Sequence, residues 1–319
     1  MHYDIFNGDA DGIFSLHQYR LHNPLSEERC LLTGVKRDIC LLSQLENVHN
    51  CSLDVFDISL DSNRTALQKL LQQNNGVTYF DHHFAGAPIN SPALQTHIDT
   101  NPAMCTSLIV NRVLHNHHGL WAICGAFGDN LHEPAMELAK TFRLSEQQIG
   151  SLRQLGELFN YNGYGLTFED LLFHPRDLYE AIEPYSDPFE YLENSSQVGT
   201  LQAAYQADIA LAMQEKEVGK PGKNRVYHLP DAPWARRIVG VLSNLRARER
   251  TTAAHAIITE NQDGSLRISI RAPFADQRHA DTLCKLYPSG GGRAAAAGIN
   301  SLPKDMLDHF LNTFHSFYS

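Results

Sequence analysis

Four short apolar runs in this chain each lead directly into acidic residues or histidine, and this repeat limits the folds that the sequence can adopt. The runs cover residues 3–6, 53–56, 77–80 and 120–127. They lead, in order, into Asp9 and Asp11, Asp57, Asp81-His82-His83, and Asp129. In an open α/β sheet, groups that follow parallel strands meet in the crevice beyond the carboxyl ends of those strands. We therefore predict that these side chains converge on one site.

Helical patterns alternate with the apolar runs. They cover residues 13–21, 64–71 and 103–115, and the last is expected to end at Gly119 as a C-cap glycine. Alternation of this kind predicts a mostly parallel sheet with flanking helices in residues 1–130. Residues 133–220 are predicted to be mainly helical, with interruptions at 160–165 and 184–188.

A second, smaller α/β domain is predicted near the C-terminus. Its expected strands are residues 225–228, 253–258 and 265–270, and its expected helices are 234–247 and 304–317. Residues 219–224 (GKPGKN) combine turn formers with charge, which is typical of a linker. The sequence therefore predicts an α/β catalytic domain over residues 1–185, a helical connector with linker over 186–224, and a second α/β domain over 225–319.

Composition narrows the class of partner. The chain has 319 residues, enough for two domains, and a formal net charge of −10. That charge argues against long nucleic acid, which proteins normally bind with a broad basic surface. The six cysteines form no Cys-x-x-Cys pair and most lie in apolar runs, which predicts reduced, buried cysteines in a cytosolic protein. With no signal-peptide pattern and no apolar run near the ~20 residues of a membrane span, we expect a cytoplasmic protein without a membrane partner.

The converging carboxylates indicate a metal centre. Several unpaired carboxylates in one cleft repel each other, and bound divalent cations remove that conflict. Mixed carboxylate and imidazole ligands suit Mn²⁺, with Mg²⁺ as the second possibility. Two such ions about 3.5–4 Å apart form a hydrolytic site for phosphate esters. For any single aspartate, helix capping is the commoner role, so the prediction depends on the joint pattern.

These motifs resemble those of the DHH phosphoesterase superfamily. The resemblance lies in residues 7–12 (NGDADG), Asp57, residues 81–83 (DHH) and Asp129, in that order, and residues 289–298 (SGGGRAAAAG) resemble the signature of the companion DHHA1 domain. The superfamily includes RecJ-type exonucleases, nanoRNases, cyclic dinucleotide phosphodiesterases and a class of inorganic pyrophosphatases. The GGG-type loop argues against the pyrophosphatases.

The resemblance implies a role for each motif residue. Asp9 and Asp11 would each hold one metal ion and Asp57 would bridge the two. His82 and Asp129 would complete the second ion. His83 would contact the scissile phosphate or protonate the leaving oxygen, with Asp81 orienting an imidazole.

One position departs from the family pattern. RecJ-type proteins have histidine where this chain has Asn7. The amide is a weaker ligand than imidazole, so the first ion is expected to bind more loosely, or only when substrate supplies an oxygen.

The second domain is expected to bind substrate. Gly290, Gly291 and Gly292 would bring backbone N–H groups close to a phosphate. Arg293 stands where the family often has histidine, and Arg271 resembles a strand-end arginine that grips substrate; both suit a phosphate. A plain turn at 290–292, a packed helix start at 294–297 and a surface role for Arg271 remain alternatives. Residues 160–165 are either a plain loop or a cleft wall where Tyr161 or Tyr164 stacks on a base.

These residues predict a metal-dependent phosphodiesterase that hydrolyses short 5′-phosphorylated oligonucleotides to mononucleotides. Dinucleotides such as linear pGpG, which is released from cyclic di-GMP, fit best. Alternatives are a phosphodiesterase that opens cyclic dinucleotides, a phosphatase acting on 3′-phosphoadenosine 5′-phosphate, and a nucleotide sensor without turnover. The sequence leaves base preference and oligomeric state open.

Overall fold

The protein has an α/β fold with two compact units, as predicted. A computed structural model of the chain describes residues 1–26, 28–218, 222–276 and 279–319. The first unit comprises Met1–Gln202 and the second Ala203–Ser319. None of the described helices is long and apolar enough to cross a membrane.

The first unit is built on a five-stranded parallel sheet. Its strands are β1 (His2–Phe6), β2 (Arg29–Thr33), β3 (Ser52–Phe56), β4 (Gly76–Asp81) and β5 (Leu94–Ile98). They lie in the order β2-β1-β3-β4-β5, and all neighbouring pairs are parallel. The alternation of apolar runs with helical patterns thus correctly predicted a parallel sheet.

Helices complete the first unit. They are α1 (Ala10–His22), α2 (Arg64–Gln72), α3 (Thr106–Val113), α4 (Gly119–Gly128), α5 (His132–Thr141), α6 (Glu146–Gly163), α7 (Pro175–Ile182) and α8 (Pro188–Asn194). The next helix, α9 (Ser196–Gln214), includes residues of both units. Short 3₁₀ helices occur at Leu41–Leu45 and Phe168–Asp170.

Both faces of the parallel sheet are buried, as is usual when helices cover both sides. On one face, Val55 and Tyr79 lie in a core with Leu67 of α2. On the other, Phe56 stacks on Phe80, with ring centroids 5.3 Å apart, and both rings contact Tyr19 of α1.

The run at residues 120–127 is a helix, so its prediction as a strand is wrong. It forms most of α4, which is buried on all sides and therefore shows no polar face in the sequence. A short apolar run cannot be assigned to strand or helix by periodicity alone. Gly119 begins α4 and is not the C-cap of α3. Instead, α3 ends at Val113, and the chain then passes through His115 and Asn116, both with positive φ.

The second unit contains a mixed five-stranded sheet. Its strands are β6 (Arg225–His228), β7 (His255–Glu260), β8 (Leu266–Arg271), β9 (Gly290–Gly292) and β10 (Ala296–Leu302), in the order β6-β7-β8-β10-β9. Only the β6–β7 pair is parallel among the described pairs. The helices are α10 (Pro233–Glu249), α11 (Ala280–Cys284) and α12 (Leu307–Phe317), with a 3₁₀ helix at Lys304–Met306 before α12.

Two sequence predictions for the second unit can be compared with the structure: the possible helix start at 294–297 and the linker at 219–224. Residues 296–302 form a strand, so the possible helix start at 294–297 is excluded. Of the predicted linker, Gly219, Lys220 and Pro221 lie outside the described residues. Asn224, at its far end, is buried and bonds Ala254 N and the Tyr318 carbonyl at 3.1 Å each. The predicted domain boundaries remain predictions.

Candidate metal centre

Three neighbouring strands of the parallel sheet end in register, and this alignment places the first site residues. Phe6 of β1, Phe56 of β3 and Phe80 of β4 lie side by side. The residue after Phe56 is Asp57, whose backbone N–H donates to the Phe80 carbonyl at 3.0 Å. Its φ of 60° lies in the left-handed region, where aspartate is tolerated better than most residues. The end of β3 therefore turns Asp57 sharply into the crevice.

His82 is the side chain around which the predicted ligands gather. Its Nδ1 lies 3.0 Å from the Met104 carbonyl, which can only accept, so Nδ1 carries a proton and Nε2 is the nitrogen that a metal ion could bind in place of a proton. The Nε2 atom lies 3.4 Å from Asp57 Oδ1. Donor atoms of Asp11, His82 and Asp129 all lie within 4.8 Å of one another, as do those of Asp57, His82 and His83.

The N-terminus of α3 supplies hydrogen bonds to these carboxylates. Backbone N–H groups of Thr106 and Ser107 each donate to one oxygen of Asp11 at 2.7 Å. The Thr106 hydroxyl donates to Asp57 Oδ1 at 2.9 Å. The positive end of the helix dipole thus faces the acidic cluster. The sequence predicted the helix but gave no sign that its first turn would meet Asp11.

The electrostatics of the cluster show a deficit of positive charge. Burial and the neighbouring Asp57 carboxylate raise the pKa of Asp11 to about 7. Burial, together with nearby carboxylates, also raises the pKa of Asp57 and of Asp129. Burial alone would lower the pKa of His82, but its hydrogen bond to Asp57 and the surrounding acids raise it to about 10. A hard divalent cation such as Mn²⁺ or Mg²⁺ fits this donor set of oxygen and imidazole ligands.

Asp9 borders Asp57 but belongs to neither donor group, and both of its oxygens are already engaged. Its Oδ1 caps α1 by accepting the Gly12 N–H at 3.1 Å, and its Oδ2 forms an ion pair with the Lys36 ammonium. Burial alone would raise the pKa of Asp9, but the Lys36 charge holds it below its usual range. Lys36 Nζ also donates to Asn160 Oδ1 at 2.7 Å. Asp9 therefore has the commoner role of a strand-end aspartate, that of a helix cap. Its role as a metal ligand stays a prediction.

The side chain of Asn7 contacts the backbone of the same lysine. The amide Nδ2 donates to the Lys36 carbonyl at 3.1 Å. Its Oδ1 is buried without a hydrogen-bond partner among the described residues. Sequence reasoning missed Lys36 and Asn160. Lys36 follows β2, and only the sheet order, with β2 beside β1, shows that it reaches the same edge as Asn7.

Asp81 holds the turn after β4 and orients His83. Its Oδ1 accepts from His83 Nδ1 at 2.6 Å and from the His82 N–H at 2.8 Å, and its Oδ2 accepts from Leu60 N at 3.2 Å. The Asp81 side chain is fully buried, whereas that of His83 is 37% exposed. His83 is thus fixed through Nδ1, and its Nε2 remains for other contacts.

The tyrosines proposed to stack on a base differ in position. Residues 160–163 continue α6 instead of forming a loop. Tyr161 is fully buried in the core, so it offers no surface to a base. Tyr164 follows the helix, with its ring centroid 5.2 Å from Lys36 Nζ.

In the second unit, both predicted arginines lie at element ends. Arg271 ends β8, where its Nε donates to Asn244 Oδ1 at 2.8 Å and its Nη1 to Ser269 Oγ at 3.2 Å. Arg293 is exposed at the tip of the β9–β10 hairpin, with its N–H donating to the Ala296 carbonyl at 2.8 Å. Their substrate roles remain predictions.

The three glycine positions of β9 differ in whether the fold has room for a larger residue. A Cβ on Gly290 would lie 1.7 Å from the Cys284 carbonyl oxygen. Gly292 has a φ of 137°, and a Cβ there would lie 2.5 Å from Ala297 Cα. A Cβ on Gly291 would meet nothing within 4 Å. The fold therefore requires glycine at 290 and 292 but not at 291.

Solved structures share this architecture over the whole chain. A RecJ exonuclease bound to manganese matches with a TM-score of 0.64 at 14% identity, over 99% of this chain and 89% of that one. RecJ of Thermus thermophilus in complex with Mn²⁺ matches with a TM-score of 0.62 at 15% identity, over 99% of this chain and 52% of that one. The pGpG-specific phosphodiesterase PggH of Vibrio cholerae matches with a TM-score of 0.56 at 13% identity, over 100% and 99%.

The chain shares the α/β fold of these proteins. At these identities the likeness shows the fold alone, and no protein-family model or curated protein matches the sequence. The DHH turn at residues 81–83 and the carboxylates around it occupy the edge of the sheet where the sequence motifs predicted a site.

Proposed function

We propose that this protein is a divalent-metal-dependent phosphodiesterase that hydrolyses short 5′-phosphorylated oligonucleotides to mononucleotides. Dinucleotides such as linear pGpG are its preferred substrates in this proposal. Two of the solved proteins with this fold support the proposal by their names: RecJ is an exonuclease, and PggH is a pGpG-specific phosphodiesterase.

One observation carries the proposal: His82 presents Nε2 to a group of buried carboxylates while Nδ1 is held by Met104. A histidine–carboxylate pair of ordinary structural type does not need two further acids with raised pKa values beside it. We propose that Asp11, Asp57, His82 and Asp129 hold Mn²⁺, or Mg²⁺ in its place. Such an ion supplies Lewis-acid charge to the attacking water and to the phosphate.

The residues around the ion have separate tasks in hydrolysis. Water attacks phosphorus and releases one proton to solvent, while the bond from phosphorus to the 3′-oxygen of the preceding nucleotide breaks. His83 is the proposed proton donor to that leaving oxygen. Burial alone would lower its pKa, but the hydrogen bond to Asp81 and the Asp57 charge raise it, which favours the imidazolium form that a proton donor needs. The α3 N–H groups keep Asp11 oriented throughout.

Features of both units favour a short substrate. The net charge of −10 leaves little electrostatic attraction for a long strand. Phe84, directly after His83, is 74% exposed and gives a base a flat apolar surface on which to stack. We further propose that Arg293, Arg271 and the backbone of Gly290, Gly291 and Gly292 bind the terminal phosphate.

The test is turnover of 5′-phosphorylated dinucleotides in Mn²⁺, compared with a long single strand, cyclic di-GMP and 3′-phosphoadenosine 5′-phosphate. Products are separated by chromatography. We expect rapid conversion of dinucleotides to 5′-mononucleotides and little change in the long strand. Release of inorganic phosphate without a cut between nucleosides would instead identify a phosphatase, and tight binding without turnover would identify a sensor.

A further inference from the structure

We infer that the substrate-free centre binds one divalent ion and that the Lys36 ammonium takes the place of a second one. The inference rests on the proposed metal centre but concerns binding alone, so it can be tested whether or not the substrate assignment is right.

The donor atoms define one ion position. Among the described residues, the two donor groups at this sheet edge share His82, and neither contains Asp9. Because His82 Nδ1 is bonded to the Met104 carbonyl, both groups must use the same nitrogen, Nε2. The two groups therefore surround the same point in the crevice.

The place beside Asp9 already holds a positive charge. Lys36 Nζ pairs with Asp9 Oδ2 and donates to Asn160 Oδ1, while Asp9 Oδ1 is used to cap α1. The backbone of Lys36 is fixed as well, since its N–H donates to the Gly163 carbonyl at 2.9 Å and its carbonyl accepts from Asn7. An ammonium held at both its backbone and its tip is a positioned cation.

A second divalent ion would have to displace that ammonium. Asn7 offers one free amide oxygen, and Asp9 offers only oxygens that already accept hydrogen bonds. Even with Asp57, which borders Asp9, shared between two ions, such weak ligands do not offset the repulsion between a divalent ion and a nearby ammonium. Lys36 carries three N–H donors and a fixed charge, so it can also bind a phosphate oxygen beside the ion.

Mn²⁺ titration of the metal-stripped full chain, without substrate, tests the inference. Free Mn²⁺ is measured by electron paramagnetic resonance, and bound metal by elemental analysis. We expect one Mn²⁺ per chain and the six-line spectrum of an isolated ion. Two ions per chain with a spin-coupled spectrum would overturn the inference.

Two matched variants identify the ligands. Asp9→Asn keeps a good helix cap and should leave stoichiometry and affinity unchanged. Asp11→Asn should weaken Mn²⁺ binding by about tenfold or more. Loss of Mn²⁺ affinity in Asp9→Asn equal to that in Asp11→Asn would show that Asp9 is a ligand and would overturn the inference.

A third variant tests Lys36 itself. Lys36→Met keeps much of the side-chain length but removes the charge, so Asp9 becomes available for a second ion. We expect a spin-coupled signal to appear at high Mn²⁺ concentration in this variant only, and not in Lys36→Arg. A Lys36→Met protein that still takes up one isolated ion would show that Lys36 does not exclude the second ion.

Discussion

At the scale of single residues, Asp57 combines a charge with a backbone conformation that few residue types adopt. Its φ of 60° favours aspartate, asparagine and glycine, and its carboxylate lies beside His82. The sequence identified Asp57 because it follows an apolar run. Nothing in the sequence indicated the positive φ of Asp57, because an aspartate after a strand fits ordinary turns equally well.

Asp57→Asn should abolish turnover without unfolding the protein. Asparagine adopts the same backbone conformation, and removing one buried charge relieves repulsion with Asp9 and Asp11. We expect kcat to fall by more than about 100-fold, the order seen when one preorganised electrostatic group is lost. The melting temperature in EDTA should be no lower than that of the wild type. Asp61→Asn, an exposed change four residues away, is the control, and normal turnover by Asp57→Asn would refute the assigned role.

The glycines of β9 allow structural and binding roles to be separated. Gly291→Ala adds a Cβ into open space, so stability should be kept, but KM for a dinucleotide should rise if the backbone there contacts phosphate. Gly290→Ala places a Cβ against the Cys284 carbonyl and should lower the melting temperature instead. Parallel measurements of KM and thermal unfolding distinguish the two. An unchanged KM in Gly291→Ala would remove this segment from the proposed binding site.

At the scale of elements, α1 is attached to the sheet by a buried ion network. Arg20 of α1 donates to Asp4 of β1 and to Asp54 of β3, and His2 Nε2 lies 3.1 Å from Asp54 Oδ2. The carboxylates and the histidine together form a group with metal-ligand spacing, but the Arg20 guanidinium already forms ion pairs with both carboxylates. Sequence alone could not separate this cluster from the metal centre, because both follow from aspartates in or after strands.

Arg20→Met should therefore destabilise the protein strongly. The change keeps the apolar stem but leaves two buried carboxylates without their main partner, and breaking such a pair costs about 3–5 kcal/mol. Urea unfolding at neutral pH measures the loss. Lys140→Met, which removes an ion pair with Glu137 between side chains that are 65% and 71% exposed, should cost less than about 1 kcal/mol. Similar losses in the two variants would contradict the network.

The type of an element was predictable where its hydrophobic pattern was periodic or where turn-forming residues closely flanked its apolar run, and not elsewhere. The short runs before Asp57 and Asp81 are strands, as predicted, because turn-forming residues bound them closely. The run in α4 has no polar face, and its glycines lie against neighbours: a Cβ on Gly125 would lie 2.1 Å from Ser107 Oγ. That close helix packing is a tertiary property, so Asp129 was predicted at a strand end but lies at a helix C-cap.

At the scale of the whole molecule, residues distant in sequence meet because of the strand order. Lys36 reaches the carboxylates because β2 lies beside β1, and Thr106 reaches them because α3, which follows β5, packs against α1 and β4. A single sequence shows which residues follow strands but not which strands are neighbours. The acidic and histidine residues could thus be predicted, whereas their hydrogen-bond donors could not.

The stability of the protein should depend on pH through His17. Burial lowers the pKa of His17 from 6.5 to about 3, and its Nε2 lies 2.9 Å from the Tyr185 carbonyl. The unfolded chain binds a proton below pH 6.5 that the folded chain does not, so this contribution is complete above pH 6.5 and is lost as the pH falls. The loss is about 1.4 kcal/mol per pH unit, or about 2 kcal/mol at pH 5.

Urea unfolding at about pH 6.5 and about pH 5, in EDTA, measures this dependence. His17→Gln retains a donor for the Tyr185 carbonyl but does not titrate, so its stability should fall less over the same range. The other titrating groups are shared by both proteins and cancel in the difference. Equal declines in the two proteins would exclude His17 as a source.

An ion held by Asp11, Asp57 and His82 would exchange slowly, because these residues are only 1%, 3% and 7% exposed. Water and chelator would reach such donors only through an opening of the crevice, and His83, with a side chain that is 37% exposed, is the more accessible residue beside them. Removal of Mn²⁺ should then be first order and independent of EDTA concentration, with the opening rate as its limit. A preparation made in manganese-rich medium would carry its metal through every purification step.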